Sequence, residues 1–220
     1  MLSYLRETIV QNALSQDTKM SLLTELYEQI ALCQKCEIAR ARTTVVPGEG
    51  ADDADIMFIG EAPGWHEDQQ GRPFVGPAGQ FLDKLLASID LNREQVYIAN
   101  VIKCRPTGNR DPLPSEITNC QPWLDSQIEI IKPRMIVTLG RYSMARYFPG
   151  KTISKIHGTA LKQDGIIYLA MYHPAAALHQ GSLKQTIEAD MGKIPALLAE
   201  TDTVKETTPQ PQQMNMFEVQ

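Results

Sequence analysis

Short apolar runs alternate with stretches of helical periodicity along most of the chain. Met1–Ala31 reads as one or two amphipathic helices, because Leu22, Leu23, Leu26 and Ile30 recur at helical spacing. Asp55–Gly60 (DIMFIG) is a brief apolar run ending in glycine, with the length of a buried strand. Glu61–Gly79 is dense in glycine and proline and predicts an extended loop. Gln80–Ile89 predicts a helix with Phe81, Leu82, Leu85 and Leu86 turned inward. Gln95–Ile102 (QVYIANVI) is a second strand, and Lys103–Pro114 a polar loop. Ser115 stands where it could cap a helix over Glu116–Ile131. Met135–Leu139 is a third strand, followed by Gly140 and a short helix to about Phe148. Asp164-Gly165 predicts a hairpin turn between two β-like stretches. Ile166–Tyr172 is the fourth core strand, and Ser182–Leu198 the last helix.

Strand and helix alternate four times. That order predicts an α/β fold: a three-layer α/β/α sandwich around a central, mainly parallel, four-stranded sheet. Ligands in such sheets sit outside the carboxyl ends of the strands. Three of those ends carry polar or glycine-rich sequence, at Gly60-Glu61, Asn100 and His173, and their convergence is the first sign of a site.

Composition adds bounds. The 220 residues are 43% hydrophobic and 21% charged, enough for one sizeable core. Residues 1–200 therefore read as one domain with an N-terminal helical segment, and 201–220 as a disordered tail. The stretch 201–212 (TDTVKETTPQPQ) has too little apolar content to bury. No run approaches the ~18 apolar residues of a membrane span. Arg6, Glu7, Gln11 and Asn12 interrupt any signal-peptide stretch, so the expected compartment is the cytoplasm. A monomer with no membrane contact is expected.

The net charge is −5, yet it is unevenly spread. Residues 1–99 hold 8 basic and 15 acidic side chains, whereas residues 100–160 hold 9 basic and 4 acidic. The middle group is Lys103, Arg105, Arg110, Lys132, Arg134, Arg141, Arg146, Lys151 and Lys155. Gathered on one face, they could bind phosphates despite the overall sign. Distributed, they are a salt-bridged surface.

Four cysteines are too few for a disulfide scaffold. Cys33 and Cys36 form C-x2-C, and Cys104 and Cys120 flank a single later segment. Four thiolates suit Zn2+ or an iron–sulfur cluster, and spacing does not choose between them.

The loop after the first strand, Gly60-Glu-Ala-Pro-Gly64-Trp-His-Glu67-Asp68, then Gly71-Arg-Pro-Phe74-Val-Gly76-Pro-Ala-Gly79, lets backbone approach a ligand closely. It is neither a dinucleotide fingerprint nor a P-loop. Phe74, in a tight loop, has the look of an exposed aromatic and reads either as a core plug or as a stacking platform.

Taken in order, Cys33-x2-Cys36, Gly60–Gly64 with Glu67-Asp68, Gly71–Gly76, Asn100, Cys104, Cys120 and His173-Pro-Ala-Ala176 resemble the family 4, iron–sulfur uracil-DNA glycosylases. The resemblance spans about Cys33 to Leu198. It implies a uracil-DNA glycosylase that hydrolyses the N-glycosidic bond of deoxyuridine, releases uracil and leaves an abasic site, so initiating base excision repair of deaminated cytosine. By that resemblance Glu61 and His173 are the catalytic candidates. Ala62, Glu67, Phe74, Asn100 and His173 would hold the base, and Glu67 would lie near uracil C5 and exclude the thymine methyl. A structural [4Fe–4S] cluster would sit on Cys33, Cys36, Cys104 and Cys120. Ala62 stands where other branches carry an Asp or Asn that positions water, which leaves Glu61 as the candidate for that role.

The chemistry agrees with these residue types. A side-chain amide at Asn100 accepts from uracil N3–H and donates to O4, while cytosine presents the reverse pattern. His173 can donate to O2 as charge develops there. Stacking on Phe74 would contribute ~1–3 kcal/mol. Leu178, after His173-Pro174 and three alanines, is the candidate wedge into the vacated stack. His66, His157 and His179 are assigned surface or structural places. The partner is uracil-containing DNA, single- or double-stranded. Gln213, Met214, Asn215, Met216 and Phe217 resemble the bacterial sliding-clamp-binding pentapeptide on a flexible linker. The alternative to the enzyme is a non-catalytic iron–sulfur or zinc protein that binds nucleic acid, which would have no need of Asn100 and His173.

Overall fold

In the computed structural model, residues 16–206 are described. Helix α1 (Gln16–Ala31) leads into the short α2 (Ile38–Ala41), and a six-stranded sheet follows in the order β1-β3-β2-β4-β6-β5. Its strands are β1 (Glu49–Gly50), β2 (Ile56–Gly60), β3 (Tyr97–Asn100), β4 (Met135–Leu139), β5 (Ala160–Gln163) and β6 (Ile166–Met171). The four inner strands, β3, β2, β4 and β6, are mutually parallel, and both edge strands run antiparallel. The expected four-stranded sheet is thus the parallel centre of a six-stranded one. The two additions carry little apolar signal: Glu49-Gly50 is only two residues, and Ala160–Gln163 (ALKQ) is exposed along most of its length. The Asp164-Gly165 turn joins β5 to β6, with Asp164 at φ 52° and Gly165 at φ 79°.

The pleat sorts the core into two layers. Met57 and Ile59 of β2 face a cluster with Leu23, Leu26 and Ile30 of α1 and Leu124 and Ile131 of α5 (Pro114–Ile131). Ile56 and Phe58 face the opposite cluster. There they meet Leu82, Leu85 and Leu86 of α4 (Pro77–Ala87) and Ile187 and Met191 of α9 (Leu183–Met191). Helices on both faces bury β2, β3 and β4 along their whole length and β6 after Ile166, which is why those strands read as largely apolar runs.

Several local expectations change. Glu61–Gly79 is not wholly loop, since it holds the short helix α3 (Trp65–Gln70). Helix α4 starts at Pro77, not Gln80, because proline suits the first helical position. For the same reason α5 starts at Pro114. Leu113 is its N-cap, and Ser115 lies inside the helix; the Leu113 N–H donates to the Glu116 carboxylate at 2.7 Å. Arg141–Tyr147 forms α6, Ile153–Ile156 forms α7, and Pro174–His179 forms α8. The last stretch divides at Gly192 into α9 and α10 (Ile194–Glu206). Helix α10 runs past the boundary expected at residue 200. The remaining tail, with Gln213–Phe217, lies outside the described residues, as do residues 1–15. Among the described residues, no helix is long and apolar enough to cross a membrane.

The candidate active site

The inner strands end along one edge of the sheet, and a pocket of about 450 Å³ opens there. Glu61, Ala62, Pro63 and Gly64 after β2 line it, together with Asn100 at the end of β3 and His173 after β6. Glu67 and Phe74 close one side, and Asn109, Arg110, Asp111 and Pro112 the other. The sequence-derived candidates are therefore brought together, except for Leu178 and the cysteines. Leu178 sits on α8, next to the pocket-lining Ala176 and His179, and is 52% exposed. Trp65 and Leu113, each adjacent in the chain to a pocket-lining residue, are exposed too.

Asn100 is buried at 2% exposure, yet its Oδ1 has no hydrogen-bond partner. A buried amide oxygen left unpaired costs ~1–3 kcal/mol, which a ligand donor in the pocket would recover. Gly60 lies beneath it. A methyl group at that position would collide with the Asn100 amide and stand 2.6 Å from the Phe74 ring.

Phe74 is not exposed, as its loop suggested, but 5% accessible, with its ring stacked on His173 at 5.4 Å between centroids. Its backbone is in the left-handed region at φ 53°, unfavourable for a residue with a bulky side chain.

His173 is the N-cap of α8, and its Nδ1 accepts the Ala175 N–H at 3.1 Å. A nitrogen that accepts carries no proton, so the proton of the neutral ring is on Nε2. Loss of solvent around the ring pushes its pKa down to about 4, against a smaller upward pull from Glu67. The imidazole is therefore neutral at physiological pH.

Glu61 places one carboxylate oxygen on the Arg141 N–H, at 2.9 Å, where α6 begins. Burial raises its pKa above the ordinary carboxylate value, and hydrogen bonds from the Tyr142 and Arg141 amides oppose that rise. Gly140, at φ 97°, makes the approach possible: a side chain there would strike the Glu61 carboxylate and stand 3.2 Å from His173 Cβ.

Glu67 lines the pocket, but its carboxylate is already engaged. Oε1 accepts from Val75 N–H and Gly76 N–H, both at 2.9 Å, and Oε2 from Gly64 N–H at 3.1 Å. It ties α3 to the Phe74 loop.

Among the other histidines, His179 is exposed, at the surface as expected, and also lines the pocket. His157 pairs with Asp190 at 2.8 Å, and His66 meets Trp65 edge-on. The basic segment does not form one free patch. Lys103 is buried at 1% exposure, and Arg110, Arg134, Arg141 and Arg146 pair with Glu116, Asp55, Asp111 and Asp125.

Cys33, Cys36, Cys104 and Cys120 line a second, small cavity, with all four thiols free. Arg42 Nη1 lies 3.1 Å from Cys104 Sγ, and Lys103 N–H donates to Cys120 Sγ at 3.2 Å. Among the described residues, no group of three His, Cys, Asp or Glu side chains is close enough to hold a single metal ion. Burial pushes the Cys120 thiol up to about 11.

The chain matches the Uracil DNA glycosylase superfamily over residues 47–191. The chain belongs to that superfamily. It is 47% identical to a type-4 uracil-DNA glycosylase of Sulfurisphaera tokodaii over 185 residues, covering 80% of this chain and 84% of the relative. To the type-4 enzyme of Archaeoglobus fulgidus it is 43% identical, covering 80% and 92%. To that of Thermotoga maritima it is 40% identical, covering 80% and 94%. The superfamily match takes in the whole pocket, from Glu61 to His179. It starts after Cys33 and Cys36, which lie in the segment that packs α1 against the sheet.

Proposed function

We propose that this superfamily member is a type-4 uracil-DNA glycosylase that hydrolyses the N-glycosidic bond of deoxyuridine in DNA and leaves an abasic site. The observation that carries the reading is the unpaired, buried Asn100 Oδ1 at the floor of a pocket that also holds a neutral histidine. An extruded uracil gives N3–H to that oxygen and accepts through O4 from the Asn100 amide N–H2. Phe74 stacks on the base. His173 Nε2–H donates to uracil O2 as negative charge accumulates there, and a neutral donor with a fixed tautomer needs no proton transfer to do so. Glu61, held at one oxygen by Arg141 N–H, orients the attacking water. Ala62 lines the pocket without a polar group and takes no part in that step. Glu67 keeps the thymine-excluding wall in place through its three backbone amides, and Leu178, on the exposed rim, fills the vacated stack.

Cys33, Cys36, Cys104 and Cys120 would hold a [4Fe–4S] cluster. A single tetrahedral zinc draws four sulfurs to about 2.3 Å from one centre, whereas a cluster receives each sulfur at a different iron. Four thiols around one cavity, with N–H donors at Cys104 and Cys120, fit a thiolate-bound group, and the resemblance in sequence to the iron–sulfur family selects the cluster. The cluster supplies cross-linking rather than electrons, because glycosidic hydrolysis is redox-neutral. Free thiols fit a reducing compartment, and the protein is proposed to act as a cytoplasmic monomer on DNA. The tail residues Gln213–Phe217 are proposed to dock on a sliding clamp; a peptide of residues 209–220 that fails to bind purified clamp at ~100 µM would retire that contact.

The primary test is incubation with a single-stranded oligonucleotide carrying one uracil, followed by alkali, beside thymine and cytosine strands. Cleavage only at uracil is expected. No cleavage by protein with its visible cluster absorption intact would favour the non-catalytic binding protein.

A further inference from the structure

Phe74 occupies a backbone conformation that costs energy, and something must hold it there. The restraint comes from a residue far from every motif of the pocket. Arg93 opens the single helical turn Arg93–Gln95 just before β3. Its guanidinium donates from Nη1 to the Phe74 carbonyl at 3.0 Å and from Nη2 to the Pro73 carbonyl at 2.5 Å. The same Nη1 reaches Asp83 at 3.0 Å, and Nε lies 3.8 Å from Glu49. With its side chain only 18% exposed and flanked by two carboxylates, the fork is fixed in place.

From the other side, Glu67 holds the next two amides, Val75 and Gly76. The peptide groups around Phe74 are therefore gripped at their carbonyls by a cation and at their N–H groups by an anion. A left-handed residue gripped in this way cannot relax without breaking charge-assisted hydrogen bonds.

We infer that Arg93 is a positioning residue for base recognition: it sets the Phe74 ring in register with Asn100 and His173. The inference rests on the reading of Phe74 as the platform for the extruded base. Arg93 touches neither base nor sugar, and its effect passes through the ring.

The test is a double-mutant cycle in full-length, cluster-bearing protein, reading kcat and KM on a uracil oligonucleotide together with the melting temperature. F74A reports on the platform. R93Q removes the fork, and R93K keeps the charge beside Asp83 and Glu49 but offers a point donor to two carbonyls. R93Q and R93K are each expected to lower kcat/KM about tenfold, within the range of one base–aromatic contact. In the F74A background, either substitution is expected to change kcat/KM by less than about twofold, because coupled residues are not additive. Full additivity in that background would overturn the inference, as would wild-type kinetics in both Arg93 variants while F74A is impaired. Wild-type kinetics in F74A would instead remove the platform reading itself. Should R93Q fail to fold, R93K carries the same cycle.

Discussion

The base pocket and the cysteine cavity lie at opposite ends of one five-residue segment, Asn100–Cys104, and they gather different groups, an amide, an imidazole and carboxylates in one and four thiols in the other. In the pocket, Asn100 Oδ1 is buried without a partner and the His173 ring is stripped of solvent and kept neutral. In the cavity, sulfur atoms already have N–H partners, from Arg42 and from the Lys103 backbone. Between the two, Lys103 Nζ is buried and donates to the Asn100 carbonyl at 2.9 Å and to Gln127 Oε1 at 2.6 Å. Asn100 Oδ1 leaves hydrogen-bonding capacity open toward the pocket, whereas two of the four sulfurs, those of Cys104 and Cys120, already accept from N–H groups and the buried Trp123 N–H beside them has no partner. An unsatisfied group that also lines an open pocket, as Asn100 Oδ1 does, is one where a ligand's donor can recover free energy.

The contrast breaks most sharply at Asn100. N100D replaces the donor half of the amide with a second acceptor, and uracil cleavage is expected to fall about a thousandfold or more with the melting temperature little changed. Retained cleavage would mean that the open oxygen is not the reader. Next is H173A, for which a drop of about 10²–10³-fold in single-turnover rate is expected if Nε2–H stabilises the leaving anion.

The pH dependence sharpens the same point. With its folded pKa at about 4, His173 remains a neutral donor through the range where an ordinary histidine titrates. Activity should therefore show no histidine step near 6.5, and the acid limb should follow Glu61, whose pKa lies above the usual carboxylate value. E61Q should remove that limb. Stability carries the opposite imprint. The unfolded chain takes a proton on His173 near 6.5 and the folded one only near 4, so stabilisation is whole above 6.5 and declines as pH falls toward 4. Urea melts of wild type and H173Q across that window should diverge.

At the cysteine end the expected change is in stability. C104A should lose visible cluster absorption and about 10 °C of melting temperature together, near 3 kcal/mol for a chain of this size. Colourless protein with an unchanged melt would separate the cluster from the fold. The smallest effect is expected at the rim: L178A should slow excision about fivefold in duplex DNA, and less in single strands, which have no stack to refill.

How far sequence alone reached depends on the range of the contacts involved. The inner strands were legible because burial on both faces makes them largely apolar runs, and Asn100 and His173 because each directly follows or ends one of these runs. Edge strand β1 was not, since a two-residue strand paired on one side needs no such run, and β5 was legible only as the β-like stretch before the Asp164-Gly165 turn. Phe74 looked exposed because glycine and proline surround it; burial came from the sheet end beneath it and from His173, a hundred residues away in the chain. Lys103 counted as one charge of a basic face, and nothing beside it in the chain indicates that Gln127 and the Asn100 carbonyl receive it indoors. Arg93 left no local signal either, because its partners Pro73 and Phe74 become neighbours only when α4 folds back on the sheet. Gly140 alone offered a hint, as a glycine directly after a predicted strand.

Gly60 also sets terms for protein engineering. Its missing side chain leaves room for the Asn100 amide and the Phe74 ring, and a single methyl would enter the space of both. A library aimed at bulkier damaged bases has nothing to gain by varying this codon, and most of its members there would be inactive for a trivial steric reason. Ala62 is different: it lines the same pocket and supports no neighbour through a polar contact. Diversity placed at Ala62, with Gly60 frozen, explores base preference without dismantling the surface on which any base must rest.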